Sequence, residues 1–180
     1  NEELLGLVQN LELDEMVDIL QNLPQQRISF LLSKMTKIDR ERVEIVLEYP
    51  EDSAGGLLNN DIISVQKDST LNLVLEYLRS IGDIPENTDT LFVASKNNNF
   101  IGELEISKII SSDPNLKVSD IMNEKPHSFK VTESDKEVSK FFEQNDLISA
   151  AVVNHKNELI GRITIDDVVD VIIEDADQNF

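Results

Sequence analysis

The stretch Gly161-Arg162-Ile163-Thr164-Ile165-Asp166-Asp167-Val168-Val169-Asp170-Val171-Ile172-Ile173-Glu174-Asp175-Ala176-Asp177 decides how the chain is read. It opens as a short alternating strand and turns helical at Asp166–Asp167, where side-chain oxygens can cap free backbone N–H groups. Val168, Val169, Ile172 and Ala176 then mark an apolar helix face, while Asp167, Asp170, Glu174 and Asp177 recur every three or four residues on another. From Ile163 to Phe180 there are six carboxylates and no Lys or Arg. Such a helix either draws cations from elsewhere or is a capped, solvated face.

Upstream lies a copy of the same pattern. Leu91-Phe92-Val93-Ala94 and Phe100 to Ile110 align, at a constant offset of 59, with Ala150-Ala151-Val152-Val153 and Leu159 to Val169. Each copy follows a strand (Ile62–Val65; Ser128–Val131) and an amphipathic helix (Leu71, Val74, Leu75, Leu78; Val138, Phe141, Phe142). Asn97-Asn98-Asn99 and His155-Lys156-Asn157 read as hairpin turns. Both units are therefore β-α-β-β-α, and each is too short to bury much apolar surface alone, so the two should pack as one module.

Before the repeat, Leu13, Met16, Val17, Leu20 and Leu23 fall at helical spacing and stop at Pro24. Ile28, Leu31, Leu32 and Met35 form a second stripe, and Val43, Val46 and Leu47 a third. Residues 1–26 carry six acids and a base only beyond them, with Asp14 and Asp18 four apart on one face. Pro50-Glu51-Asp52-Ser53-Ala54-Gly55-Gly56 is the strongest breaker cluster and marks a domain boundary. Its paired glycines suggest either a backbone forbidden to other residues or a close approach.

Sixteen basic against 35 acidic residues give a net charge of −19, which argues against nucleic acid and against an anionic membrane surface. With no cysteine there is neither disulfide nor thiolate metal site, and His127 and His155 stand isolated, as surface residues rather than zinc ligands. No apolar run approaches the ~20 residues of a membrane helix. The N-terminus lacks both a basic signal region and a methionine, so the chain reads as a soluble piece of something longer.

A β-α-β-β-α tandem with Gly161, Thr164 and Asp167 spaced as Gly-x-x-Thr-x-x-Asp resembles a pair of CBS (cystathionine β-synthase) domains. Tyr49-Pro50-Glu51-Asp52-Ser53-Ala54-Gly55-Gly56-Leu57-Leu58, with the Asp14-x-x-x-Asp18 helix before it, is similar to the matching segment of MgtE-family magnesium channels. The resemblance implies an α+β chain: a helical N domain over 1–53, then a tandem CBS pair with one unit over 54–116 and the other over 117–180. It further implies a cytosolic Mg²⁺ sensor, not an enzyme, on the cytoplasmic face of the membrane. The parent would be a homodimer whose transmembrane pore domain follows in the same chain.

Carried over residue by residue, Asp14 and Asp167 would share one Mg²⁺ with the Gly56 carbonyl, with Asp18 in support. Asp146 and Asp170 would form a second site, with the backbone of Glu143 a candidate ligand. This chain departs from its relatives at Gln178-Asn179, where they carry Glu-Asp, at Lys136 in place of a Glu, and at Leu58 in place of Met. One or two carboxylates, a carbonyl and several waters suit Mg²⁺, and a millimolar dissociation constant needs only about 4 kcal/mol.

The competing reading is an adenine-nucleotide sensor such as ATP would serve, because Thr164 and Asp167 stand where other CBS pairs hold a ribose. The first repeat has Glu105 and Lys108 there, so at most one pocket keeps that signature. No nucleophile–base pattern and no phosphate-binding Gly-Lys loop points to an enzyme.

Overall fold

The structure, a computed structural model, describes residues 22–36 and 52–178. The first helix, α1 (Gln25–Lys34), follows Pro24, whose fixed φ suits the residue just before a helix. A 3-10 turn, Ala54–Leu57, opens the repeated part.

The first unit runs β1 (Ser64–Val65), α2 (Leu71–Ile81), β2 (Thr90–Ala94), β3 (Phe100–Glu105), α3 (Ile106–Ser111) and α4 (Val118–Ile121). The second runs β4 (Ser128–Lys130), α5 (Asp135–Asn145), β5 (Ser149–Val153), β6 (Leu159–Thr164) and α6 (Ile165–Gln178). The caps of the crossover helices are equivalent: the Thr70 hydroxyl accepts from the Leu73 N–H, and the Ser134 hydroxyl from the Glu137 N–H.

Each unit holds a three-stranded sheet, β1-β2-β3 or β4-β5-β6, with a parallel first pair and an antiparallel second. The parallel pair requires a crossover, which α2 and α5 supply. The register slips at the same place in both sheets, between Val93 and Ala94 and between Val152 and Val153.

β2 and β5 are apolar on both faces because both faces are covered. Leu91 and Val93 point into the helices of the first unit, and Ala150 and Val152 into those of the second. Phe92, Ala94, Phe100, Ala151, Val153 and Leu159 form a third core between the two sheets, where Phe92 and Phe100 meet edge to face at 5.8 Å.

The hairpin tips clasp one another reciprocally. The Phe100 N–H donates to the Asn157 carbonyl and the Leu159 N–H to the Asn98 carbonyl, both at 2.9 Å. Asn98 Nδ2 in turn donates to the Leu159 carbonyl at 2.8 Å, and Asn157 Nδ2 to the Phe100 carbonyl at 2.9 Å. Both asparagines take positive φ (65° and 62°), a conformation Asn tolerates better than most residues.

α1 packs on the second unit: Leu31 is fully buried in one cluster with Ala54, Leu58, Phe129, Phe142 and Val168, and Ile28, Leu32 and Met35 flank it. The helical stripe over 28–35 is thus borne out, while the stripes over 13–23 and 43–47 lie outside the described residues except at Leu23. Among the described residues no helix is long and apolar enough to cross a membrane.

Candidate functional site

The segment 52–59 is a strap across the second unit. The Ala54 N–H donates to the Glu133 carbonyl at 2.7 Å and the Gly55 N–H to the Val131 carbonyl at 2.9 Å. Farther along, Asn59 and Arg162 exchange both backbone hydrogen bonds at 2.8 Å. The strap lies so close to β6 that a Cβ on Gly161 would sit 2.4 Å from the Asn59 carbonyl oxygen and 2.4 Å from Leu58 Cδ1. The first residue of the Gly-x-x-Thr-x-x-Asp signature is therefore a packing requirement. Gly55 and Gly56 do not take a positive φ, so the paired glycines are no left-handed turn.

α6 begins at Ile165, one residue before the expected start, which places Asp166 and Asp167 in its first turn near the positive end of the helix dipole. Asp167 is half-buried. Its Oδ2 accepts from Asn59 Nδ2 at 2.9 Å and lies 3.3 Å from the Thr164 hydroxyl, which also reaches Asp166. Thr164 has one proton to share between the two carboxylates. Asn59 is 1% exposed, and among the described residues its Oδ1 has no hydrogen-bond partner. An unpaired buried acceptor costs roughly 1–3 kcal/mol.

The other candidate ligands are spread more widely. Gly56 sits on the strap, three residues before the amide that holds Asp167. Asp170 is exposed on α6. Asp146 is exposed and takes a left-handed conformation (φ 51°) as the C-terminal cap of α5. Glu143 lines a groove of about 310 Å³ between α5 and α6, with Lys136, Lys140, Val171 and Ile172. Asp14, Asp18 and Asn179 lie outside the described residues, as does the side chain of Gln178. Among the described residues no three His, Asp or Glu side chains converge as a metal cluster. What the structure brings together is one carboxylate, Asp167, and the strap bearing the Gly56 carbonyl. Hard oxygen donors of this kind fit Mg²⁺, which keeps several waters, better than zinc, whose sites are built mainly on Cys and His.

Negative charge does gather around the strap. Burial raises the Asp135 carboxyl above its ordinary value, and the carboxylates of Asp52 on the strap and Glu174 on α6 push it further.

Arg162 is 2% exposed, an extreme burial for a guanidinium. It grips both oxygens of Asp61 (3.0 and 3.1 Å) and donates to the carbonyls of Asn87 and Glu86 at 2.8 Å. Asn87 also reaches Asp166 at 3.4 Å, and Ser149 donates to Asp89 at 2.8 Å. The loop before β2 is thereby tied to the second unit. A nucleoside at Thr164 and Asp167 meets groups already engaged with the chain itself.

The equivalent cleft of the first unit is open, about 240 Å³, lined by Glu103, Glu105, Lys108, Ile121, Met122 and Asn123. Burial raises the Glu103 carboxyl, opposed by the Asn123 hydrogen bond and reinforced by Asp89 and Glu105. Glu105 and Lys108 do occupy the positions of Thr164 and Asp167, and this cleft lacks the hydroxyl–carboxylate pair.

Residues 1–52 match the MgtE intracellular N domain, and residues 118–174 match the CBS domain. The chain is 30% identical over 173 residues to the magnesium transporter MgtE of Thermus thermophilus, covering 93% of this chain and 38% of the relative. It is 28% identical over 167 residues to MgtE of Bacillus subtilis, covering 93% of this chain and 37% of that protein. The chain thus spans less than two-fifths of the length of the curated relatives it matches. Among solved structures, the cytosolic domain of the Mg²⁺ channel MgtE in complex with ATP superposes with a TM-score of 0.84 at 29% identity, covering 93% of this chain and 69% of that one. The soluble part of a magnesium transporter gives 0.87 at 23% identity, covering 96% and 67%, and supports the fold. The chain belongs to the MgtE family, as the part built from its N domain and CBS pair.

Proposed function

We propose that this chain is the Mg²⁺-sensing region of a magnesium channel, held at the cytoplasmic face of the membrane and regulating a pore domain of the same polypeptide. Its division is an N domain over 1–53 and CBS units over 54–116 and 117–180. Mg²⁺ bridges Asp14, supported by Asp18, to Asp167 and the Gly56 carbonyl; a second ion is held by Asp170 and Asp146, with the Glu143 backbone. Filled sites favour the closed state.

The observation that carries this reading is the seat of α1. Leu31 shares a core with Leu58 of the strap and with Val168, the residue after Asp167. That contact seats the helix that follows the acidic N-terminal segment in sequence on the unit that bears the candidate ligands. Two carboxylates about 5 Å apart repel by roughly 3 kcal/mol at an effective dielectric of ~20. The Asp135 carboxyl is raised chiefly by burial, and the carboxylates of Asp52 and Glu174 add to that against the opposing pull of Lys136. A divalent ion reverses the sign of the interaction, and a few such bridges are enough to move a two-state equilibrium. Exposed Leu73, Tyr77, Ile110, Val169 and Ile173 support assembly as a homodimer.

Small-angle scattering tests the bridge. The radius of gyration of the wild type should fall between chelator and tens of millimolar Mg²⁺, and that of Asp167→Asn should fall less. An unchanged wild-type radius refutes the reading. A second reading, an adenine nucleotide such as ATP at Thr164 and Asp167, is favoured by the relative solved with ATP. Calorimetric titration with ATP and with Mg²⁺ separates the two.

A further inference from the structure

We propose that Asn59 is a positioning residue for the magnesium response, orienting the Asp167 carboxylate through its buried side-chain amide. The inference rests on the reading of Asp167 as a magnesium ligand. The backbone of Asn59 has no freedom to drift, because it exchanges two hydrogen bonds with Arg162 and its carbonyl lies against Gly161. Its side chain is 1% exposed, and Nδ2 meets Asp167 Oδ2 at 2.9 Å. Turning the amide over would set oxygen against carboxylate oxygen, so the charge on Asp167 selects one orientation.

The Thr164 hydroxyl lies 3.3 Å from the same oxygen, so Asp167 is approached from the strap and from β6 as well as from its own helix. Buried polar side-chain atoms are almost always paired, and among the described residues Oδ1 of Asn59 has no partner. An amide serving only the packing of the strap gains nothing from being polar here. Kept with its donor on Asp167 and its acceptor idle, it serves the carboxylate. Partners that orient a metal ligand typically change metal affinity by about 10–100-fold when removed.

The test compares wild type, Asn59→Ala, the isosteric Asn59→Leu and Asp167→Asn. Each is titrated with MgCl₂ while resistance to proteolysis is followed, and each is melted in chelator. The Asn59 variants should melt close to wild type, since the idle acceptor leaves with the donor, yet need about 10-fold more Mg²⁺ for half-protection. Asp167→Asn should lose most of the response. Asn59 variants that respond at the wild-type midpoint, beside an impaired Asp167→Asn, overturn the role of Asn59 and leave Asp167 standing. An unimpaired Asp167→Asn overturns the magnesium reading of Asp167 and this inference with it. If neither Asn59 variant folds, the wild type decides: the Asn59 side-chain amide resonances should shift with the Mg²⁺ midpoint, and stationary resonances overturn the proposal.

Discussion

Changing Gly161 to Ala probes how tightly the strap lies on β6. The new Cβ would stand 2.4 Å from the Asn59 carbonyl oxygen and from Leu58 Cδ1, and 2.9 Å from Leu58 Cγ. Carbon–oxygen contacts settle at about 3.3–3.6 Å, so the strap must retreat by roughly 1 Å. That retreat breaks the two backbone bonds between Asn59 and Arg162, each contributing about 1 kcal/mol. Overpacking of Leu58 adds about 1–3 kcal/mol. The sum is a loss of about 3–5 kcal/mol, or roughly 10 °C for a chain of this size.

Gly102, the equivalent residue of the first unit, is the internal control. A Cβ there meets the flexible Met122 Sδ at 2.9 Å and the Asn123 carbonyl oxygen at 3.1 Å. A thioether swings aside, and a few tenths of an ångström suffice for the carbonyl, so Gly102→Ala should lose no more than about 1.5 kcal/mol. Urea midpoints and thermal melts of both variants read the difference. Equal losses, or a larger one at Gly102, refute the reasoning.

Two further perturbations follow from charge. Arg162→Met removes four donors and leaves Asp61 and the carbonyls of Glu86 and Asn87 uncompensated. It should destabilise by about 2–4 kcal/mol in urea unfolding, below the largest values for buried pairs because the Asp61 side chain is 24% exposed; a neutral outcome argues against the tie. Asp135, by contrast, has a raised folded pKa, so its ionised form is disfavoured in the fold. That penalty is present above the folded pKa and vanishes once pH falls below the ordinary carboxylate value of about 3.9. Asp135→Asn should therefore melt higher than wild type at pH ~7, with the gain shrinking toward pH ~4; a gain independent of pH contradicts a carboxyl raised by burial beside Asp52 and Glu174.

The repeat was readable because its signals are local. Strands buried on both faces appear as unbroken runs such as Leu91-Phe92-Val93-Ala94, and the turns carry their own asparagines. Other features depend on partners remote in sequence. Arg162 looks like any surface arginine until Asp61, 101 residues away, is seen to face it. Asn59 sits in an Asn-Asn pair, and nothing local marks its amide as the partner of Asp167. β1 shrank from an expected Ile62–Val65 to Ser64–Val65, and α4 is too short for any periodicity to reveal. Asp167 itself was legible through its motif, whereas the exposed positions of Asp170, Asp146 and Glu143 became visible only in three dimensions.

The hairpin clasp between Asn98 and Asn157 bears on how this polypeptide can be cut and inherited. Each repeat finishes its own β-turn with atoms borrowed from its sibling, and the two share the layer built on Phe92 and Leu159. An isolated half would display that layer to water, with too little interior left to compensate. Although the duplication is plain in the primary structure, the products are no longer separable: excised alone, either half should stay unfolded or recover a mate by pairing with a second copy of itself.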